Sequence, residues 1–94
     1  MAAVYILFSE KLNRYYVGSC MEISERLFDH KSKKYSDSYT AKADDWELFY
    51  YLLDLNYNQA RLIESHIKKM KSRTYVENLK KYEDIVRKLK ELYK

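Results

Sequence analysis

The sequence predicts an α+β domain: a three-stranded antiparallel sheet flanked by helices, in the order β-β-α-β-α-α. Two short runs of alternating apolar and aromatic residues, 3–9 and 14–18, are separated by the polar Glu10-Lys11-Leu12-Asn13, the spacing of a hairpin. A third run of the same kind lies at 46–53. From residue 60 onward apolar residues recur every three or four positions, the period of helices that bury one face. Strands combined with helices in one short chain imply a layered α+β core.

In the first strand Val4, Ile6 and Phe8 alternate with Tyr5 and Leu7, so both faces are expected to be partly buried. The second strand, 14–18, is rich in tyrosine and valine. Ser24-Glu25-Arg26-Leu27 opens a helical pattern with Ile23 and Leu27 inward, and without a full capping box. Residues 31–45 are polar and irregular and read as a loop. The third strand is expected to put Trp46, Leu48, Tyr50 and Leu52 on one face. Asn58 is the expected cap of a long helix with an apolar stripe at Ala60, Ile63, Ile67 and Met70. A break near 72–74 leads to one final helix carrying Val76, Leu79, Tyr82, Val86, Leu89 and Tyr93 on one side. No proline interrupts any of these elements.

Ninety-four residues make one domain, with its core expected within about residues 2–75 and a helical extension over about 76–94. The 47% hydrophobic and 34% charged content places the chain among globular proteins. A single cysteine, Cys20, excludes an internal disulfide and fits a reducing compartment. The first residues lack a basic segment followed by a long apolar run, so no signal peptide is expected. No run approaches a membrane span, and a cytoplasmic location is the expectation.

Charge is unevenly placed. Residues 1–58 carry 7 Lys/Arg against 9 Asp/Glu, net −2, and residues 59–94 carry 11 against 5, net +6. A basic half of this kind suits a nucleic-acid partner, and it also suits a solvated helix surface.

The residues with chemical potential are few. Tyr5 is followed, after ten intervening positions, by Tyr16-Val17-Gly18, and Gly18 is the only glycine. Glycine serves where backbone conformation or close approach forbids a side chain. Arg26 and His30 stand four apart on a helical pattern and project together. Glu64 borders the apolar stripe of the long helix, where an acid needs a partner or a metal. Phosphodiester hydrolysis needs a base for the attacking water, a cation for the charge gathering on the phosphate, and help for the leaving oxygen. This ordered set offers all three. Each member also has an ordinary use: sheet packing for the tyrosines, a surface position for Arg26, a helix C-cap for His30, and an i,i+4 pair with Lys68 for Glu64. One cysteine and two histidines on different helices do not make a zinc site, and one glycine does not make a phosphate-cradling loop.

The set resembles the GIY-YIG nuclease superfamily. Within it, the chain is similar to the small stand-alone domains related to the N-terminal nuclease module of the excision-repair subunit UvrC. Ala3-Val4-Tyr5 and Tyr16-Val17-Gly18 stand at the two triplets, Glu25-Arg26-Leu27 with His30 at the following helix, and Ala60 to Arg73, with Glu64, at the metal-bearing helix and its basic end. The resemblance implies a GIY-YIG endonuclease fold and a metal-dependent DNA endonuclease acting in repair or recombination. It further implies one divalent ion, Mg²⁺ or Mn²⁺, held by Glu64. Tyr5 would activate water, Tyr16 would orient water or phosphate, Arg26 would stabilise the transition state, and His30 would assist, with Gly18 as backbone at the site. Lys68, Lys69, Lys71 and Arg73 are the expected contacts to DNA phosphates. A first departure is Ala3, where the motif has glycine. The alternative expectation is a non-catalytic nucleic-acid-binding module. The protein is expected to be a monomer, or a weak homodimer through its C-terminal helix.

Overall fold

The computed structural model describes residues 1–21 and 45–94. Arg26, His30, the helix expected around them and all of the 31–45 loop except Asp45 lie outside the described residues. The elements are β1 (Ala2–Ser9), β2 (Arg14–Cys20), β3 (Glu47–Leu55), α1 (Tyr57–Met70), α2 (Arg73–Lys81) and α3 (Glu83–Leu92). The sheet order is β2-β1-β3, with β1 antiparallel to both neighbours.

β1 is the centre of the fold, and its alternation is used on both faces. Val4 and Ile6 join Val17, Leu52, Leu55 and the helices in the main core. Ala3, Tyr5 and Leu7 pack with Cys20 on the opposite face, against Tyr16 and Trp46. The hairpin turn is the expected polar tetrapeptide, closed by an Asn13 N–H to Glu10 carbonyl bond of 3.2 Å. Asn13 takes a left-handed conformation there (φ 52°), which asparagine tolerates better than most residues. β2 runs two residues further than expected, to Cys20.

β3 departs from simple alternation. Its register against β1 shifts twice, and Asp54 adopts φ 62°. Such irregularities re-aim side chains. Leu52 and Leu55, three apart, therefore both reach the main core, with Phe49 and Tyr50 packed against it. Trp46 lies with the opposite face and Leu48 is exposed, so the expected single face of Trp46, Leu48, Tyr50 and Leu52 does not form.

α1 is capped by Asn56, not Asn58. The Asn56 side chain accepts from the Gln59 N–H at 2.7 Å, and the Gln59 side chain accepts from the Asn56 N–H at 3.4 Å. That is a reciprocal capping box. Ala60, Ile63 and Ile67 are buried, each isoleucine contributing about 1.5–3 kcal/mol of transfer free energy. Met70, the last residue of α1, is exposed, so the buried stripe ends at Ile67, and Lys71 (φ 47°) caps the helix after it.

The expected final helix is two helices. Tyr82, in extended conformation, is both the last cap of α2 and the first of α3. Lys80 and Lys81 close α2 while Glu83 and Asp84 open α3, each sign favourable for its helix end. The break folds α3 back, so Val76, Leu79, Val86 and Leu89 enter the same core as the sheet. This segment is therefore packed into the core and is not an appendage. Gln59 donates to the Lys90 carbonyl at 3.1 Å and Tyr93 bonds His66 at 2.9 Å, pinning α3 to α1. Leu89 is thus buried within the protomer and Tyr93 is bonded to His66 there. No helix among the described residues is long and apolar enough to cross a membrane.

Candidate active site

Tyr5 points from the middle of β1 to the face away from α1, α2 and α3 and is 1% exposed. Its register partner is Gly18. A Cβ at residue 18 would stand 2.5 Å from the Tyr5 hydroxyl oxygen and 2.6 Å from its Cζ. The glycine has no positive φ, so close approach by the phenol, and not backbone conformation, is what requires it. Tyr16, two residues before Gly18 on the same face of β2, is half-buried. Its ring centre lies 6.3 Å from that of Tyr5 and 6.3 Å from Trp46.

Glu64 approaches β2 from the helix side. Its side chain is 21% exposed. One oxygen accepts from the Ser19 hydroxyl. The other accepts from the Lys68 ammonium at 2.6 Å, so the ordinary i,i+4 pair foreseen from the sequence does form. Lys68 is half-exposed, and its ammonium is also 5.9 Å from the Tyr16 ring centre. The structure thus groups Tyr5 with Tyr16, and Glu64 with Ser19 and Lys68, on the two sides of the outer strand β2. Lys68 links the two groups.

Two grooves share Lys68 and Lys71, one along α1 and one reaching β2. One, of about 380 Å³, is lined by Glu64, Arg61, Ser65, Lys68, Lys69 and Lys71. The other, of about 480 Å³, lies between the hairpin tip and the α1–α2 junction, with Arg14, Tyr15, Tyr16, Lys68, Lys71 and Arg73 among its walls. Three of the expected phosphate contacts, Lys68, Lys69 and Lys71, line the first groove. Arg73 also has structural partners. Its guanidinium donates to Asn13 Oδ1 at 2.9 Å and to the Asn13 carbonyl at 3.4 Å, and it pairs with Glu77 at 3.4 Å. It also lies over Phe8 and Tyr15, at 5.7 and 5.4 Å. Neighbouring Tyr15 donates to Glu77 at 3.1 Å. Burial first, and that bond second, raise the Tyr15 pKa, so it stays a proton donor.

A divalent ion has one suitable carboxylate in this arrangement. Among the described residues no three His, Cys, Asp or Glu side chains cluster as a cage. Mg²⁺ keeps most of its waters and needs only one or two carboxylates. Glu64 fits that requirement: it opens on a groove, and the lysine on its outer oxygen belongs to an exposed pair of the kind that contributes about 0–1 kcal/mol.

Ser19 was not singled out by sequence reasoning. Its one signal is position: it follows Gly18 on an outer strand and therefore faces the helix that carries Glu64. Asp45 ends the polar segment 31–45 and carries no sequence signal of its own. It accepts from the buried Ser9 hydroxyl at 2.6 Å and from the Lys11 N–H at 3.0 Å, fastening the start of β3 to the hairpin.

Comparison with curated proteins and with solved structures gives no match. Comparison with protein families gives one: the pattern of the GIY-YIG catalytic domain matches residues 1–83, a span that includes both tyrosines, Gly18 and Glu64. With the three-stranded antiparallel sheet and its helices already in place, the chain belongs to the GIY-YIG catalytic domain family, and is a metal-dependent nuclease domain that hydrolyses phosphodiester bonds.

Proposed function

We propose that this domain cuts DNA, and that it does so as a small UvrC-like nuclease serving repair or recombination in the cytoplasm. The observation that carries the site assignment is Lys68, which touches Glu64 and stands over Tyr16, so that acid, ammonium and phenol share one strand edge. When bound at Glu64, a single Mg²⁺ or Mn²⁺ supplies Lewis-acid stabilisation of the departing oxygen. Lys69 and Lys71 hold backbone phosphates along the groove, without regard to sequence. In the same reading Arg26 has the role of stabilising the phosphate under attack, and His30 an assisting role.

Exposure redistributes the tasks expected of the two phenols. A base must reach the attacking water. Tyr5 is almost fully covered, while Tyr16 is half-buried and has an ammonium near its ring. Tyr16 is therefore the better-placed acceptor of the water's proton, and Tyr5, locked over Gly18, holds the surface on which Tyr16 lies.

The test is nicking of supercoiled plasmid by the purified domain with Mg²⁺ or Mn²⁺. Arg26→Ala and Glu64→Ala are expected to abolish nicking with an unchanged circular dichroism spectrum, and Tyr16→Phe to reduce it more than a hundred-fold, on the scale of a lost general base. Wild-type protein that binds the plasmid but leaves it intact with every divalent metal would return the non-catalytic binding module as the better account.

A further inference from the structure

The two oxygens of Glu64 are held by groups of different kinds. Ser19 is neutral, short and fixed on β2, so its hydroxyl aims the carboxylate. Lys68 is a charge on a flexible stem, half-exposed, and it lines both grooves. A divalent ion held at that carboxylate would repel the ammonium already paired with it, so each weakens the hold of the other and the two compete.

We infer that Lys68 is the resident counter-ion of the metal-binding carboxylate in the free protein, displaced by the metal and turned toward the substrate. Resting on the reading of Glu64 as metal ligand, this gives Lys68 a double assignment. Without metal it neutralises Glu64 and keeps the acid folded against Ser19. With a metal held by Glu64, the Lys68 ammonium would be free to turn into the second groove, whose walls include Arg14, Tyr16 and Lys71. A strongly hydrated point charge of this kind suits a phosphate oxygen. Metal and DNA binding are then coupled through one side chain, and by linkage each strengthens the other. Lys68 is a positioning residue in this scheme, since it readies the carboxylate and then the strand.

Mn²⁺ binding to the DNA-free protein, followed by calorimetry, separates the possibilities. Lys68→Met is expected to tighten Mn²⁺ binding about two- to five-fold, the range that an exposed i,i+4 pair can hold back. Lys69→Met removes the same charge one position along and is expected to tighten it less. Short-duplex affinity, measured by anisotropy with Ca²⁺ and then with chelator, is expected to gain from metal in wild type and to gain less in Lys68→Met. Unchanged or weaker Mn²⁺ binding in Lys68→Met, or equal tightening in Lys69→Met, overturns the inference while leaving the Glu64 ligand in place, provided Glu64→Gln loses Mn²⁺. Mn²⁺ binding that survives Glu64→Gln overturns the ligand assignment and the inference together.

Discussion

The phenol of Tyr5 fills the space in which a side chain at Gly18 would begin. The two are register partners on adjacent strands, and the 2.5 Å to a built Cβ leaves no van der Waals room. Tyr5 has nowhere to retreat, since it is 1% exposed among Ala3, Leu7 and Cys20. Gly18→Ala is therefore expected to cost about 1–3 kcal/mol, the usual range for overpacking, read by urea denaturation. It is also expected to slow nicking by about a hundred-fold, because a displacement near 1 Å at a site's support can cost that much. An alanine variant as stable and as active as wild type would show that the close approach is incidental.

The hairpin was legible because its signal is local: alternation, a polar tetrapeptide, and a register that alternation enforces. That register alone brings Tyr5 opposite Gly18. β3 was misread for an equally physical reason. Two register shifts and the left-handed Asp54 break the period of two, and nothing in the residues 47–55 announces them. The cap at Asn56 was readable, since Asn56-x-x-Gln59 is a capping-box pattern, but Asn58 stood nearer the apolar stripe. The break at Tyr82 left no such trace. The spacing of Val76, Leu79, Tyr82, Val86 and Leu89 satisfies one continuous helix, and no glycine or proline marks the corner.

At the site, residue types were legible and pairings were not. Glu64 and Lys68 lie four apart on one helix, so their contact follows from helical geometry. Ser19 and Glu64 meet across 45 positions, a contact that depends on how α1 docks on β2. Serine is also too common on strand surfaces to stand out. Arg73 shows the converse: its charge suggested DNA, whereas tertiary packing gave it aromatic and amide partners.

Arg73 and Lys69 are expected to separate cleanly when removed. Arg73→Ala loses the Asn13 bonds, the Glu77 pair and the cover over Phe8 and Tyr15. With its side chain about half exposed, the expected cost is about 1–2 kcal/mol of stability, below the sum of such contacts in a buried setting. Lys69→Ala touches none of these and is expected to stay within about 0.5 kcal/mol of wild type. In DNA binding the order reverses. Lys69→Ala is expected to lower the slope of log affinity against log salt by about 1, the loss of one phosphate contact. Fluorescence anisotropy across a salt series, beside urea denaturation of both variants, reads the two effects separately. A larger slope change in Arg73→Ala would return that residue to the DNA-binding surface.

Asp45 carries a pH dependence whose sign can be worked out. The Ser9 hydroxyl first, and the Lys11 N–H second, hold its carboxyl below the usual aspartate range. The folded state therefore binds this proton more weakly than the unfolded chain does. The resulting stability is fully present above the ordinary aspartate pKa and is lost as pH falls through the lowered value of the folded chain. Asn keeps the size of the side chain and an acceptor for Ser9, but has no proton to bind. Asp45→Asn is thus expected to be less stable than wild type at neutral pH, with the gap closing as pH falls through and below the ordinary aspartate range. Urea midpoints collected down that range make the measurement. Two curves that stay parallel throughout would mean that the carboxylate contributes nothing beyond a neutral hydrogen bond to the clasp between the hairpin and the start of β3.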